Sequence, residues 1–338
     1  MKNKKVTAMD VARLAGVSQS SVSRAFSKNT SISSKKKQLI LETAEKLGYQ
    51  PNAIARGLIT NQSRIIGIVM RDIENPFYPE ILKLFHEMLA NKGYQVMFIH
   101  SRNDEIQEDE VQHLIEYSVE GIIITDALLT SKAVEKFSRN GISVVLFNRY
   151  ATHTKSNAVV CDNFVAGKEI GQYLLKKGHK HLAFISGHEN TSTSIDRQFG
   201  FAESLKESGI DSFLIENGKY TYEGGFNAAK NLLAQKKRID AIFVANDISA
   251  FGAMDYLKKQ SISIPEEISV IGFDNVKMAN WPSYSLTTWH QPINEMVEAT
   301  IQFLFKLIGG SLDQSQIKTV EGHLVERNSV ATRKNEKS

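Results

Sequence analysis

Cysteine occurs once in 338 residues, at Cys161, so the chain can form no internal disulfide and no thiolate zinc cluster, and a reducing cytoplasm is the expected compartment. Apolar runs are short. Stretches such as Ile65 to Met70 fall far below the ~20 residues that span a bilayer. The basic start, Met1 to Lys5, leads into polar Thr7, Asp10 and Arg13 instead of the apolar core of a signal peptide. Neither secretion nor a membrane partner is expected. The phosphate-loop pattern GxxxxGKS/T and the dinucleotide pattern GxGxxG are both missing, and the nine histidines offer no Ser-His-Asp or metal-ligand spacing. The expectation is a chain without cofactor or metal that is not an enzyme.

Acidic residues are scarce at the start of the chain. Residues 1 to 64 hold 12 Lys/Arg against 3 Asp/Glu, a net +9, whereas the remainder hold 29 against 34, a net −5 within an overall +4. A basic segment on a mildly acidic body is what attraction to a phosphate backbone favours. This segment also carries helical periods. Val11, Leu14 and Ala15 fall at i, i+3 and i+4, Gly16 can end that helix in a left-handed turn, and Thr7 with Asp10 forms a capping pair at its start. Ser18 then caps a second helix in which Val22, Ala25 and Phe26 repeat the spacing, turning Gln19, Ser20, Ser23 and Arg24 outward. That pattern predicts a helix-turn-helix. Gln can pair with adenine, Arg with guanine, and Ser with a base or phosphate in a major groove. A plain helical hairpin with a solvated face is the alternative. A third helix opens at Ser33 or Ser34, buries Leu39, Ile40, Thr43, Ala44 and Leu47, and stops at Gly48.

Pro51 and Asn52 mark a break, and residues 53–58 are long enough for about one and a half helical turns, too few to persist alone in water. Gly57 costs such a helix about 1 kcal/mol relative to Ala. From Ile65 the pattern changes to apolar runs near residues 65–70, 95–100, 121–125, 143–148, 158–161, 181–186, 241–245 and 269–273. Between them lie helical stretches at 79–92, 165–177, 198–208, 222–234 and 248–260. Alternating strand and helix predicts an α/β body with parallel sheets covered on both faces. Length and 42% apolar content allow two similar lobes, divided near Asp162, with 287–292 as a return crossing. A ligand of such a pair belongs in the cleft beyond the carboxyl ends of the strands. The domain boundaries expected are 1–50 for the headpiece, 51–63 for a hinge and 64–332 for the body. Within the body, lobe one comprises 64–161 plus 292–322 and lobe two 162–291 plus 323–332.

Ordered motifs along nearly the whole chain carry a family resemblance. They are Thr7-x-x-Asp10-Val11-Ala12-x-x-Ala15-Gly16-Val17-Ser18, Val22-Ser23-Arg24, Leu47-Gly48-Tyr49-x-Pro51-Asn52, Ala55-Arg56-x-Leu58 and Asn75-Pro76-Phe77-Tyr78. Gly178-His179, Arg197-x-x-Gly200-Phe201, Ala245-Asn246-Asp247, Gly272-Phe273-Asp274-Asn275 and Leu286-Thr287-Thr288 follow. The chain resembles the lactose-repressor family of bacterial transcription regulators, whose body lobes are similar to periplasmic sugar-binding proteins. The resemblance implies that Gln19 and Ser20 read bases beside Arg24, that Ser18, Ser21, Ser23 and Asn29 touch phosphates, and that Leu58 wedges open a central base step in the minor groove. A linker residue packed on the body is the other reading of Leu58. For the effector, the resemblance points to Phe77, Tyr78, Asn148, Arg197, Tyr220, Asn246 and Asp274. Their chemistry suits a sugar: Asp accepts hydroxyls, Arg is a five-donor fork, and aromatic rings stack on a flat face. Each also has a plainer role open to it. Asp274 can cap a turn, Arg197 can sit in a surface ion pair, and the aromatics can be core.

Arg71 beside the first strand's end, and Asn148 where relatives often have an acid, suggest an anionic effector, a sugar acid or sugar phosphate, and Trp281 is a further candidate for the pocket wall. The function this implies is a cytoplasmic, homodimeric, ligand-responsive repressor. It would bind double-stranded operator DNA with two headpieces, and a small molecule would shift the angle between its lobes. The end of the chain shows no trailing apolar heptads, which predicts dimers rather than tetramers. A freestanding solute-binding protein and an α/β sugar-modifying enzyme are the alternatives.

Overall fold

The structure, a computed structural model, describes residues 6–26, 32–50, 62–103, 105–151, 156–311 and 315–333. The chain divides into two units, Met1–Arg64 and Ile65–Ser338.

In the first unit, α1 (Ala8–Ala15) starts at a capping box. The Thr7 side chain accepts from Asp10 N, and the Asp10 carboxylate accepts from Thr7 N at 3.0 Å. Gly16, at φ 66°, turns the chain into α2 (Gln19–Ala25), where Ser18 Oγ accepts from Ser21 N at 3.2 Å. The third helix, α3 (Ser34–Leu47), begins after Ser33 and ends at Gly48. Val11, Ala12, Val22, Ala25, Ile40 and Ala44 are buried together, and Phe26 meets Tyr49 edge-on at 5.8 Å. Two residues expected in this core are outside it: Leu14 is 63% exposed and Leu39 47% exposed. The buried stripes are instead Ala8, Val11, Ala12, Ala15 and Ile40, Thr43, Ala44, Leu47, each spaced i, i+3, i+4, i+7. Small side chains let three short helices approach closely, which leaves no room for either leucine.

The second unit contains two six-stranded sheets. Its elements run β1 (Ile65–Met70), α4 (Phe77–Asn91), β2 (Gln95–His100), α5 (Glu108–Glu116), β3 (Gly121–Ile124), α6 (Ser131–Arg139), β4 (Ser143–Phe147), β5 (Ala158–Cys161), α7 (Asn163–Lys176), β6 (Leu182–Ser186), α8 (Ser192–Glu207) and β7 (Leu214–Asn217). Then come α9 (Tyr222–Ala234), β8 (Ala241–Val244), α10 (Asp247–Lys259), β9 (Ser269–Asp274), a 3-10 turn (Lys277–Asn280), β10 (Thr287–His290), α11 (Ile293–Ile308), β11 (Ile317–Val320) and β12 (His323–Val325). The first sheet has the order β11-β5-β4-β3-β1-β2 and is parallel throughout. The second has the order β12-β10-β9-β8-β6-β7 and is parallel except for β12. Central strands β3, β5, β8 and β9 are buried at every residue, as expected of parallel strands covered by helices on both faces.

The chain passes between the sheets three times: after β5, after β10 and between β11 and β12. The expected return crossing at 287–292 is therefore mostly strand. Thr287–His290 pairs with β9, and the passage itself is Gln291-Pro292. Helices α5 and α6 were not anticipated, and α8 starts six residues before the expected 198 because its first turn, Ser192-Thr193-Ser194, hides the helical period. Helices α7 and α8 pack without a gap. A Cβ on Gly200 would lie 1.9 Å from Phe164 O, so only glycine allows the approach that carries Arg197 to its position. Among the described residues, no helix is long and apolar enough to cross a membrane.

Candidate functional site

Two surfaces gather the residues singled out in the sequence. On the headpiece, Ser18, Gln19, Ser20, Ser23 and Arg24 are exposed, and the four from α2 share one helix face at i, i+1, i+4 and i+5. Ser18 Oγ lies 2.9 Å from both Ser20 Oγ and Ser21 Oγ, and Arg24 Nε donates to Ser20 O at 3.3 Å. Ser21 is set apart. It is 4% exposed and faces the Ser18 hydroxyl inside the turn. Asn29 and Leu58 lie outside the described residues, as does most of the expected hinge.

The second surface is a cleft between the carboxyl ends of the two sheets, where open α/β sheets present loops to a ligand. Phe77, Tyr78, Asn148, Arg197, Tyr220, Asn246 and Asp274 all line it. So do Arg71, Asp72, Asn75, Asp126, Arg149 and Thr193. Asp72, Asp126 and Arg149 were missed although the signal was present: each follows within two residues of an apolar strand, as Asn246 does, while Asp274 is the last residue of β9. Trp281 is not in the wall. It is 52% exposed, and the other tryptophan, Trp289, is buried on β10.

Side chains nearly fill the inner cavity, leaving about 20 Å³, room for one water. An outer chamber of about 280 Å³ adjoins it, sharing Arg71, Asp126 and Arg149 and adding His188, Asn217 and Lys219. Three cavity residues hold left-handed backbone: Asn148 at φ 70°, Tyr220 at 61° and Asp274 at 120°. Such conformations cost about 1–3 kcal/mol each and cluster at functional sites. Gly187 makes space for the Tyr220 ring, since a Cβ there would lie 1.9 Å from it. The Tyr220 hydroxyl is 2.9 Å from Thr193 Oγ1.

Arg197 is buried, not in a surface ion pair. Its Nε donates to Asn163 Oδ1 at 2.8 Å, its Nη1 to Ala245 O at 2.5 Å, and its guanidinium covers the Phe273 ring at 3.4 Å. Asp274 accepts from Gln291 Nε2 at 2.7 Å. Burial pushes its carboxyl up to about 7, against the pull of Arg197 and Gln291. Burial, then the charge of Asp274, raises Asp247 well above the usual carboxylate range. Asp247 accepts from Thr288 Oγ1 at 2.6 Å and Val276 N at 2.9 Å, which makes it a brace behind the cleft. Asn246 does two things at once. Its Oδ1 accepts from Ser249 N to cap α10, and its Nδ2 donates to Tyr220 O.

Asp126 takes Arg71 N at 2.7 Å, Asp72 N at 2.6 Å and Thr125 Oγ1 at 2.8 Å. Asp72 is raised, mainly by burial. The wall thus holds three arginines and three aspartates, so acids are not in deficit as the sequence suggested, but two of the three are shifted toward the neutral form. Contacts also bridge the two sides of the cleft: Arg71 Nη2 to His188 Nε2 at 3.2 Å, Tyr150 N to Ser192 Oγ at 3.0 Å, and Lys277 to Glu80 at 3.4 Å.

Family models match both units. The model described as bacterial regulatory proteins, lacI family, matches residues 7–52, and that of periplasmic binding proteins and the sugar binding domain of the LacI family matches 63–336. The chain is 31% identical to catabolite control protein A of Priestia megaterium, over 92% of this chain and 95% of that protein. It is also 31% identical to the HTH-type transcriptional repressor PurR of Edwardsiella ictaluri, over 96% and 97%. The lac repressor dimer bound to operator and the anti-inducer ONPF has the same fold, with a TM-score of 0.87, 23% identity, and 97% and 100% of the two chains covered. These relatives are regulators, not enzymes, and a freestanding solute-binding protein would leave the match over 7–52 without a role. The chain belongs to the LacI family of bacterial transcriptional regulators, with a helix-turn-helix headpiece and a periplasmic-binding-protein-like ligand-binding body.

Proposed function

We propose that this protein is a homodimeric repressor whose headpieces bind the half-sites of a near-palindromic operator and whose affinity for DNA is set by a sugar or sugar-derived effector in the cleft. The observation that carries this reading is the pairing, in one chain, of a basic unit with an exposed Gln19-Ser20-Ser23-Arg24 face and a cleft lined by Arg197, Asp274, Asn246 and aromatic rings. Gln19, Ser20 and Arg24 read bases, Ser18, Ser23 and Asn29 hold phosphates, and Leu58 wedges the minor groove once two copies meet on DNA. Ser21 contributes from inside the turn by fixing Ser18. The functional divisions are 1–50 for DNA binding, 51–63 for the hinge and 64–332 for effector binding and dimerisation. In that body, 64–161 plus 292–322 moves against 162–291 plus 323–332. The lac repressor complex contains a dimer, an operator and a small ligand together, which supports the same combination here.

For the effector to act, it must bind the two lobe arrangements with different affinity. The test is selection of DNA from a random pool by the full-length protein, followed by anisotropy titrations of the selected duplex with a panel of sugars. A two-fold symmetric consensus is expected, with at least one sugar changing its affinity and Tyr220→Ala removing that change. Absence of any sequence preference would sink the proposal.

A further inference from the structure

We propose that His290 is a proton-controlled catch on the second passage between the sheets: neutral, it clasps that passage to the strand end that carries Asp274, and protonated, it lets go. Asp274 and Asn275 at the end of β9 lie beside His290 and Gln291 at the end of β10, with Asp274 in register with His290. Two side-chain hydrogen bonds cross between these pairs. Gln291 Nε2 donates to Asp274 Oδ1 at 2.7 Å, and Asn275 Nδ2 lies 3.1 Å from His290 Nδ1. Pro292 follows at once, so the clasp holds the last residues before the chain leaves for the other sheet.

Arg327 decides which way the Asn275 amide points. Its Nη2 donates to Asn275 Oδ1 at 2.7 Å, while its Nη1 donates to Leu286 O at 2.7 Å and its backbone N to Thr287 Oγ1 at 2.9 Å. A guanidinium has donors only, so Oδ1 faces it and Nδ2 faces the imidazole. His290 Nδ1 is therefore the acceptor, which requires a ring without a proton there. A proton at Nδ1 would set two donors against each other, and turning the amide over would set its NH2 against Arg327. Either way the bond is lost. His323 lies directly across on β12, with the ring centres 4.9 Å apart, so charge on one ring opposes charge on the other. The remaining charged groups about His290 are Glu295 on α11, Asp274, whose carboxylate is turned to Gln291, and Arg327 behind Asn275. Burial and then His323 lower the His290 value against the opposing pull of Glu295.

His290 does not line the cavity and acts as a positioning residue, through Asn275 and Gln291, on Asp274 and on the passage. That Asp274 meets an effector rests on the cleft reading; the catch is read without one. The test is hydrogen exchange of the full-length protein at pH 7.5 and 5.5, without DNA or sugar, followed on the amides of 287–291 and normalised to the intrinsic rate at each pH. In the wild type, acid should quicken these amides about threefold or more relative to β6. His290→Gln, which takes up no proton, should lose that response. His323→Gln keeps the clasp but removes the opposing ring, so its quickening should begin at higher pH than in the wild type. Asn275→Ala lacks the clasp at any pH, should exchange quickly already at pH 7.5, and replaces His290→Gln if that variant does not fold. An acid response that survives in His290→Gln, or one shared equally by β6, overturns the catch and leaves the cleft reading untouched. The expected response in a protein that binds no sugar supports the catch and overturns the cleft reading alone.

Discussion

The Tyr150 hydroxyl donates to the carboxylate of Asp196, 3.0 and 3.1 Å from its two oxygens, and so ties the loop after β4 on one side of the cleft to α8 on the other. Burial raises the Asp196 carboxyl, with the Tyr150 hydrogen bond and Arg197 opposing. The contact joins the two sides of the proposed effector cleft, whose inner cavity has room for no more than one water.

Tyr150→Phe should therefore favour a more open cleft. Scattering from the unliganded protein is expected to give a larger radius of gyration, and apparent effector affinity should fall about threefold to tenfold. Unchanged scattering with unchanged affinity would show that the pair does not hold the cleft shut.

Asp274 makes stability depend on pH in an unusual direction. Its folded-state value of about 7 exceeds its unfolded value of 3.8, so between these two the folded protein binds more protons than the unfolded chain. Its contribution to stability is thus lost as pH rises from about 4 to about 7 and stays lost above. Asp274→Asn removes the titration. Melting temperature should change in the variant's favour on going from pH 5 to pH 7.5, and an equal difference at both pH values would refute the assignment.

Gly187 and Tyr220 should behave as a coupled pair. Gly187→Ala drives a methyl into the Tyr220 ring and should cost about 1–3 kcal/mol in denaturant unfolding, with weaker effector binding. In a Tyr220→Ala background the same change should cost far less. Equal costs in the two backgrounds would mean that the ring is not what the glycine accommodates.

On the headpiece, Gln19→Ala should lower affinity for the preferred operator by about 1–3 kcal/mol and relax the choice of base at one position. Ser21→Ala should instead lower the stability of the headpiece and leave the consensus sequence as it was. Uniform weakening on all DNA by Gln19→Ala would argue against base reading.

Most of the architecture was legible because its signals are local. The Thr7 and Asp10 capping pair, the turn at Gly16 and the uninterrupted apolar strands each follow from a few neighbouring residues. Errors arose where tertiary packing chooses between similar local patterns. Leu14 and Ala12 both fit a helical stripe, and the close approach of three small helices admits only the alanine. The cleft divides in the same way. Asn246 just after β8 and Asp274 at the end of β9 announced themselves by their place at apolar strands, and Arg149, two residues after β4, obeyed the same rule. What no local pattern could reveal is that Asp126 is already committed to backbone amides, which is why three arginines and three aspartates do not simply cancel.

The three passages between the sheets leave from β5, β10 and β11, the first leading through α7 to β6, and β11 lies beside β5 in one sheet as β12 lies beside β10 in the other. Three short connections gathered along one margin form a spine, like the binding of a book. Sliding or twisting would have to stretch all three at once, whereas swinging about the spine stretches none. On the proposed reading, a molecule caught between the covers would register as an angle between them.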